Sequence, residues 1–425
     1  MTGLASPFWK HVITVLTGSV AAQVMPFLMA PLITRICTPE DMGAFGVWFG
    51  LIAVASIAAT LRLEAAMILD HGTEEQSTCF SVVAYFAALL ALAITLCGLL
   101  ARALGLPLAS HMSWFGLMSI GFGTWLTAYM QTTLAYAASC NAFGAAAKAR
   151  VWAAGTIAVA QAALLLLGVG ANALLAGQII GLAVGLVAAT YLLSPPRPRL
   201  TALPIDAQWN YLRKHKAFWR FALPAQLLNA LFAQLPLLFI GARHGVLAAG
   251  LFALTLRVLA APVSLLAASV LEVFKRQSVL EFQTVGNCKE SYLYTFRILL
   301  LLGIGPALIM FFFAPALFAF VFGQSWRAAG DMARILTPLY FLNFIASPLS
   351  YVFSVTGKQK ADLVWQIARG ILITGAFSAH LTLKGNLLAY AIGYSLLYLI
   401  YLQMSYRYSQ NRPALGSRES YWKDS

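Results

Sequence analysis

Long apolar runs, separated by short stretches carrying charge, proline or glycine, recur along nearly the whole chain. A helix that crosses about 30 Å of hydrocarbon needs roughly 20 mostly apolar residues, because its backbone must satisfy its own hydrogen bonds. Twelve segments meet this requirement, near residues 12–33, 44–61, 80–101, 113–135, 151–169, 174–193, 221–240, 251–271, 297–318, 335–355, 363–383 and 387–405. The pattern predicts an all-α polytopic membrane protein with 12 transmembrane helices and little chain between them. The first run is long and holds Pro26 and Pro31, so it is expected to remain as a span rather than to be cleaved as a leader.

Composition narrows the class. Of 425 residues, 60% are hydrophobic and only 10% charged, against roughly 25% charged in soluble domains. A soluble globular enzyme is thereby excluded, and the apolar content excludes a disordered chain. The five cysteines, Cys37, Cys79, Cys97, Cys140 and Cys288, form no disulfide framework and are expected to be buried small apolar residues.

Charge sets orientation. Lys and Arg number 28 against 14 acidic residues, a net +14. With the N-terminus inside, 20 of the cations fall on the cytoplasmic side and six, Arg35, Arg102, Arg243, Arg327, Arg334 and Lys384, on the other. Short cytoplasmic loops retain positive charge, so both termini are expected in the cytoplasm. Arg257 and Arg369 fall inside spans.

The most basic stretch, residues 194–220, lies between the sixth and seventh spans and interleaves Trp209, Tyr211, Phe218 and Trp219 with Arg213, Lys214, Lys216 and Arg220. It suits an anionic membrane surface; nucleic acid is not an expected partner. The stretch divides the chain into a six-helix lobe (1–193), the basic linker (194–220), a second six-helix lobe (221–405) and a C-terminal tail (406–425). Pro31-Leu32-Ile33 followed by Gly43-Ala44-Phe45 recurs as Pro236-Leu237-Leu238 followed by Gly250-Leu251-Phe252. An even number of spans per half gives both halves one orientation, related by a pseudo-two-fold axis along the membrane normal.

No loop carries a phosphate-binding lysine motif, a nucleophile elbow or a His/Cys cluster spaced for metal. No enzyme, metal or cofactor is expected; the chain is expected to move something. An ionised side chain in a span is costly, about 2.5–3.5 kcal/mol on insertion scales, and tends to face a wet cavity. Arg257 and Arg369 each lie about 9 Å into their spans at 1.5 Å per residue, and Gln366 shares a helix face with Arg369. Pro262 adds an expected bend beyond Arg257. Gln23 in the first span, and Gln226 and Asn229 in the seventh, accompany prolines as in bent, cavity-lining helices. At the inner ends of spans two and eight, Glu64 and Glu272 fall at corresponding places and suit gate or coupling roles. Arg62 and Glu64 are two residues apart, too close to face each other on a helix, so Glu64 is expected to find another partner.

Thr34-Arg35-Ile36-Cys37-Thr38-Pro39-Glu40-Asp41-Met42-Gly43-Ala44-Phe45 and Arg62-Leu63-Glu64-Ala65-Ala66 resemble the opening of bacterial polysaccharide-unit flippases of the Wzx type. Phe221-Ala222-Leu223-Pro224, Ala249-Gly250-Leu251-Phe252, Phe322-Gly323 with Trp326, Pro348-Leu349-Ser350 and Gly357-Lys358-Gln359-Lys360 extend the likeness over both halves. The resemblance implies the V-shaped two-lobe fold of the multidrug/oligosaccharidyl-lipid/polysaccharide exporters. It also implies the cargo, an undecaprenyl-diphosphate-linked glycan flipped to the periplasmic leaflet for O-antigen or lipopolysaccharide synthesis, with polysaccharide polymerase and chain-length proteins as partners. A diphosphate crossing hydrocarbon needs fixed positive groups, and arginine forks two donors to phosphate oxygens. Arg257 and Arg369, with Arg35 and Arg62 nearer the two mouths, are the expected contacts. The coupling ion, H+ or Na+, stays open. A cation-coupled multidrug exporter, or an exporter of another lipid-linked precursor with the same fold, is the alternative.

Overall fold

The computed structural model describes residues 24–67, 70, 72–106, 112–196 and 205–410. They are helical almost throughout, with no strand among the described residues. The helices are α1 (Val24–Ile36), α2 (Pro39–Thr60), α3 (Thr73–Ala103), α4 (Trp114–Ser139), α5 (Phe143–Leu166), α6 (Ala173–Leu193), α7 (Ile205–Lys214), α8 (Leu223–Pro262), α9 (Ala268–Val285), α10 (Lys289–Phe322), α11 (Arg327–Leu349), α12 (Gln359–Ser378) and α13 (Leu383–Gln410). Each of the twelve predicted spans overlaps one of these helices. Among the described residues, eight helical stretches are long and apolar enough to cross a membrane, one of them running over Phe218–Val285 with a break at Gly245.

That run is two helices that meet at Gly245, inside the expected turn. Residues 241–250 read as a turn in sequence, yet they are helical except at Gly245 (φ 86°, ψ 171°). One residue without a Cβ occupies backbone space that side chains avoid and replaces the whole turn. Five-residue π-helical turns, Phe218–Ala222 and Val263–Ala267, bracket α8. The second begins directly after Pro262.

The chain forms two compact units, Met1–Gly250 and Leu251–Ser425. In the first, α5 packs along α6, α3 along α4, and α2 against α4. Small residues allow this: a Cβ at Gly177 would lie 2.7 Å from Gln161 N, and one at Gly181 2.6 Å from Ile157 N. Their four-residue spacing lets two backbones approach, the way membrane helices gain contact without a hydrophobic driving force. Trp48 is fully buried between α2 and α4, its indole N–H donating to Ser119 Oγ at 3.0 Å. In the second unit α11 is central, packed on α10, α13 and α9, around a core that includes Phe274, Tyr292, Leu299, Ile345 and Leu349.

The motif residues of the opening have physical work in this fold. Thr38 caps α2 through Asp41 N (3.2 Å), and Asp41 returns the bond by accepting from Thr38 N (3.0 Å), with Pro39 in the first turn. Such a capping box satisfies two of the donors a helix start leaves open. Gly43 and Gly250, equivalent in the sequence repeat, meet: a Cβ on Gly43 would overlap the Val246 carbonyl oxygen and lie 2.8 Å from Gly250 N, and one on Gly250 would overlap Pro39 O. Cys37, Cys79 and Cys288 are buried as expected, but Cys97 and Cys140 are exposed. Cys97 lies on the outer face of an apolar helix, and Cys140 at the end of α4.

Candidate functional site

The sequence-selected residues divide between the two units. Arg35, Arg62, Glu64, Gln226 and Asn229 belong to the first; Arg257, Glu272, Gln366 and Arg369 belong to the second. Gln23 lies outside the described residues. Arg35 is exposed near the end of α1, Gln226 is half-buried and Asn229 exposed in the first turns of α8.

Arg62 and Glu64 correct the expectation drawn from their spacing. Arg62 Nη1 donates to Glu64 Oε1 at 3.0 Å. They face each other because the chain between α2 and the short helix Leu63–Ala66 is not helical: Leu61 (φ 52°) and Arg62 (φ 60°) are left-handed. Non-glycine residues in that region cost about 1–2 kcal/mol each. The result is a half-buried arginine held beside a nearly buried carboxylate, with Arg62 N also donating to Thr60 Oγ1. Glu272 is exposed and accepts from Lys275 one turn on, at 2.8 Å.

Arg257 is half-buried, two residues beyond buried Thr255. The Thr255 hydroxyl bridges Leu251 O and Ala329 O, both at 2.8 Å, and so ties this turn to α11. Arg369 is half-buried on α12, its guanidinium 5.9 Å from the ring centre of Trp365, and Gln366 is half-buried beside it. Trp365 is fixed by its indole N–H donating to Leu397 O at 3.0 Å.

Around Arg369 the structure assembles residues that the sequence reading did not single out. Tyr390, Tyr394, Tyr398 and Tyr401 form a buried row on α13. Adjacent rings lie 5.6 Å (Tyr390–Tyr394) and 4.7 Å (Tyr394–Tyr398) apart, and Trp365 lies 4.4 Å from Tyr401. Tyr401 donates to Asp362 Oδ1 (2.6 Å), and Tyr398 donates to Asn343 Oδ1 (2.9 Å). Spacings of four, four and three residues are the signal: they hold one helix face. The arginine charge thus stands beside a rigid polar and aromatic wall, the kind of surroundings that let a cation remain in an apolar helix.

The linker helix α7 is also anchored by residues the sequence reading left unassigned. Tyr211 OH donates to Asp70 Oδ2 at 2.7 Å, and His215 Nε2 lies 3.0 Å from Asp70 Oδ1, off the line of a straight hydrogen bond. All three side chains are buried. Burial first, then the neighbouring Cys79 and Asp70, push the Tyr211 phenol well above its ordinary range, so it stays a donor. Lys214 Nζ pairs with Glu75 at 2.6 Å on the surface. The basic linker is therefore clasped to Asp70, ahead of α3, and to the first turn of α3. Among the described residues, no group of three His, Cys, Asp or Glu side chains is placed to hold a metal.

A family model described as polysaccharide biosynthesis protein matches residues 32–331. No curated protein matches the sequence. Among solved structures, the chain is similar to the lipid II flippase MurJ in an inward closed conformation, at 14% identity and TM-score 0.69, covering 93% of this chain and 87% of that one. It is similar to the multidrug transporter DinF-BH of the MATE type, at 16% identity and TM-score 0.62, covering 95% and 96%. A MATE protein in complex with MaD3S matches at 17% identity and TM-score 0.55, covering 93% and 94%. At these identities the likeness shows the fold, which is that of the two-lobe exporters expected from sequence.

Proposed function

The chain belongs to the polysaccharide biosynthesis protein family, a membrane transporter rather than an enzyme, and on that premise we propose that it flips undecaprenyl-diphosphate-linked oligosaccharide repeat units from the cytoplasmic to the periplasmic leaflet. The cargo serves O-antigen or another surface polysaccharide, and the protein sits in the inner membrane with both termini in the cytoplasm. The lobes 1–193 and 221–405, joined by 194–220, alternate access to a cationic cavity.

One observation carries this reading: two arginines, Arg257 and Arg369, are half-buried within helices of a polytopic protein, the second beside an aromatic and polar wall. Arginine keeps its charge at every physiological pH and presents a planar fork of donors. A diphosphate is the cargo group that such a fork matches, and its lipid tail can remain in the bilayer. In this reading Gln366 adds donors beside Arg369, and Gln23, Gln226 and Asn229 meet sugar hydroxyls. Arg35 and Arg62 receive and release the headgroup at the two mouths, while Glu64 and Glu272 serve the gate or the coupling to H+ or Na+. Polymerase and chain-length proteins act on the delivered unit.

The test has two parts. Deletion of the gene is expected to leave complete undecaprenyl-linked repeat units accumulating on the inner leaflet; unchanged lipid-linked pools would remove the function. Arg257→Ala and Arg369→Ala, expressed at wild-type level, are each expected to lower surface glycan display at least tenfold. Wild-type display in both would remove the two arginines from the path.

A further inference from the structure

Several cations among the described residues have an identified partner. Arg62, Lys214 and Lys275 pair with Glu64, Glu75 and Glu272. Arg102, one of the six cations on the expected periplasmic side, donates to Met112 O and lies 4.3 Å over the Trp114 ring. Three others of those six, Arg327, Arg334 and Lys384, gather at one end of the second unit, where α11 and α13 both begin. The positive-inside tendency works against cations there, so their concentration at one place calls for a role.

A pocket of about 410 Å³ opens between these two helix starts, lined by Asp331, Arg334, Ile335, Leu383, Lys384 and Leu387 among others. That volume falls within the range of small-ligand sites, about 300–1,000 Å³. Its wall is mainly apolar, with two cations and one carboxylate. Asp331 shares the pocket but pairs with neither cation within 4 Å among the described residues.

We infer that this pocket is a binding site for the phosphate of an anionic membrane lipid, with Arg334 and Lys384 on the headgroup and Leu383, Leu387 and Ile335 along the start of the acyl chains. A free inorganic anion would gain nothing from the apolar wall. A zwitterionic lipid brings its own cation toward Arg334 and Lys384. The inference is independent of the cargo and of Arg257 and Arg369.

The test uses the full-length protein in phosphatidylcholine nanodiscs doped with a photoactivatable phosphatidylglycerol, with adducts mapped by peptide mass spectrometry. Adducts are expected on 328–335 and 383–387, at least tenfold above those from a photoactivatable phosphatidylcholine. Arg334→Ala with Lys384→Ala is expected to remove them about tenfold, while Arg334→Lys with Lys384→Arg retains them and Arg407→Ala, at the far end of α13, leaves them unchanged. Both pocket cations are exposed, so the double variant is expected to fold, which its melting temperature checks. Equal labelling by the two lipids, labelling that survives the double alanine variant, or displacement of the lipid by 10-fold excess inorganic phosphate would each overturn the inference.

Discussion

Replacing Asp70 by alanine tests whether the linker helix is clasped or merely tethered. The carboxylate is 0% exposed and the His215 side chain 5% exposed. Its removal leaves the Tyr211 hydroxyl buried without its acceptor and the imidazole without the carboxylate beside it. A hydrogen bond to a charged group contributes about 1.5–3 kcal/mol, and a stranded buried polar group costs about 1–3 kcal/mol. We take about 3 kcal/mol as the loss, since the two figures overlap in what they count. At 1.36 kcal/mol per decade, the open population of residues 205–220 should rise by roughly two decades. Lys214→Ala, which breaks a pair whose partners are 46% and 35% exposed, should cost no more than about 1 kcal/mol, less than one decade. Tyr211→Phe, keeping the ring but losing one bond, should fall between them. The assay is amide exchange of 205–220 in nanodiscs, supported by trypsin cleavage after Arg213, Lys214 and Lys216, both of which follow the open population when closing outruns the readout. Wild-type exchange in Asp70→Ala, or an equal effect from Lys214→Ala, would refute the clasp.

Three further outcomes follow from packing and protonation. Gly43→Val should lower the melting temperature by the equivalent of at least about 1–3 kcal/mol of overpacking, because even a Cβ meets the Val246 carbonyl; Gly305→Ala, with nothing within 4 Å of its new methyl, should be neutral or stabilising. Cys288, buried and with its thiol pushed up to about 12 by burial and then by Glu281, should resist iodoacetamide at pH 8, where only about one molecule in ten thousand is thiolate; reactivity rises with pH, and exposed Cys140 should be modified first. Thr38→Ala should cost about 1 kcal/mol through loss of the α2 cap, seen as a lower melting temperature with unchanged helical content.

The spans were legible because the bilayer imposes one simple length and composition on each, and the start of α2 because Thr38-Pro39-Glu40-Asp41 is a local signal. Orientation of side chains was not legible. Nothing local shows that Leu61 and Arg62 turn left-handed, so two residues two apart became an ion pair instead of strangers. Gly245 condensed an expected turn for the same reason: backbone choice at one residue depends on what packs around it. The tyrosines of α13 were visible as a spacing, but only the approach of α12 shows that they flank Arg369. Asp70 and His215 lie 145 positions apart in sequence, and neither carries a motif. Their meeting depends on where α7 docks.

The two π-helical turns set the azimuth of everything they border. Each holds one more residue than a regular helix needs to cover the same stretch, so the faces on either side of it are offset by about 100°. A helical wheel drawn straight through Val263–Ala267 therefore assigns Arg257 and the start of α9 to the wrong relative sides. Removing one residue there would leave composition, hydropathy and span length almost untouched while rotating one segment against the other by more than a quarter turn. At these two places, chain length acts as a dial for direction, and a related sequence one residue shorter would point a different set of side chains along the same path.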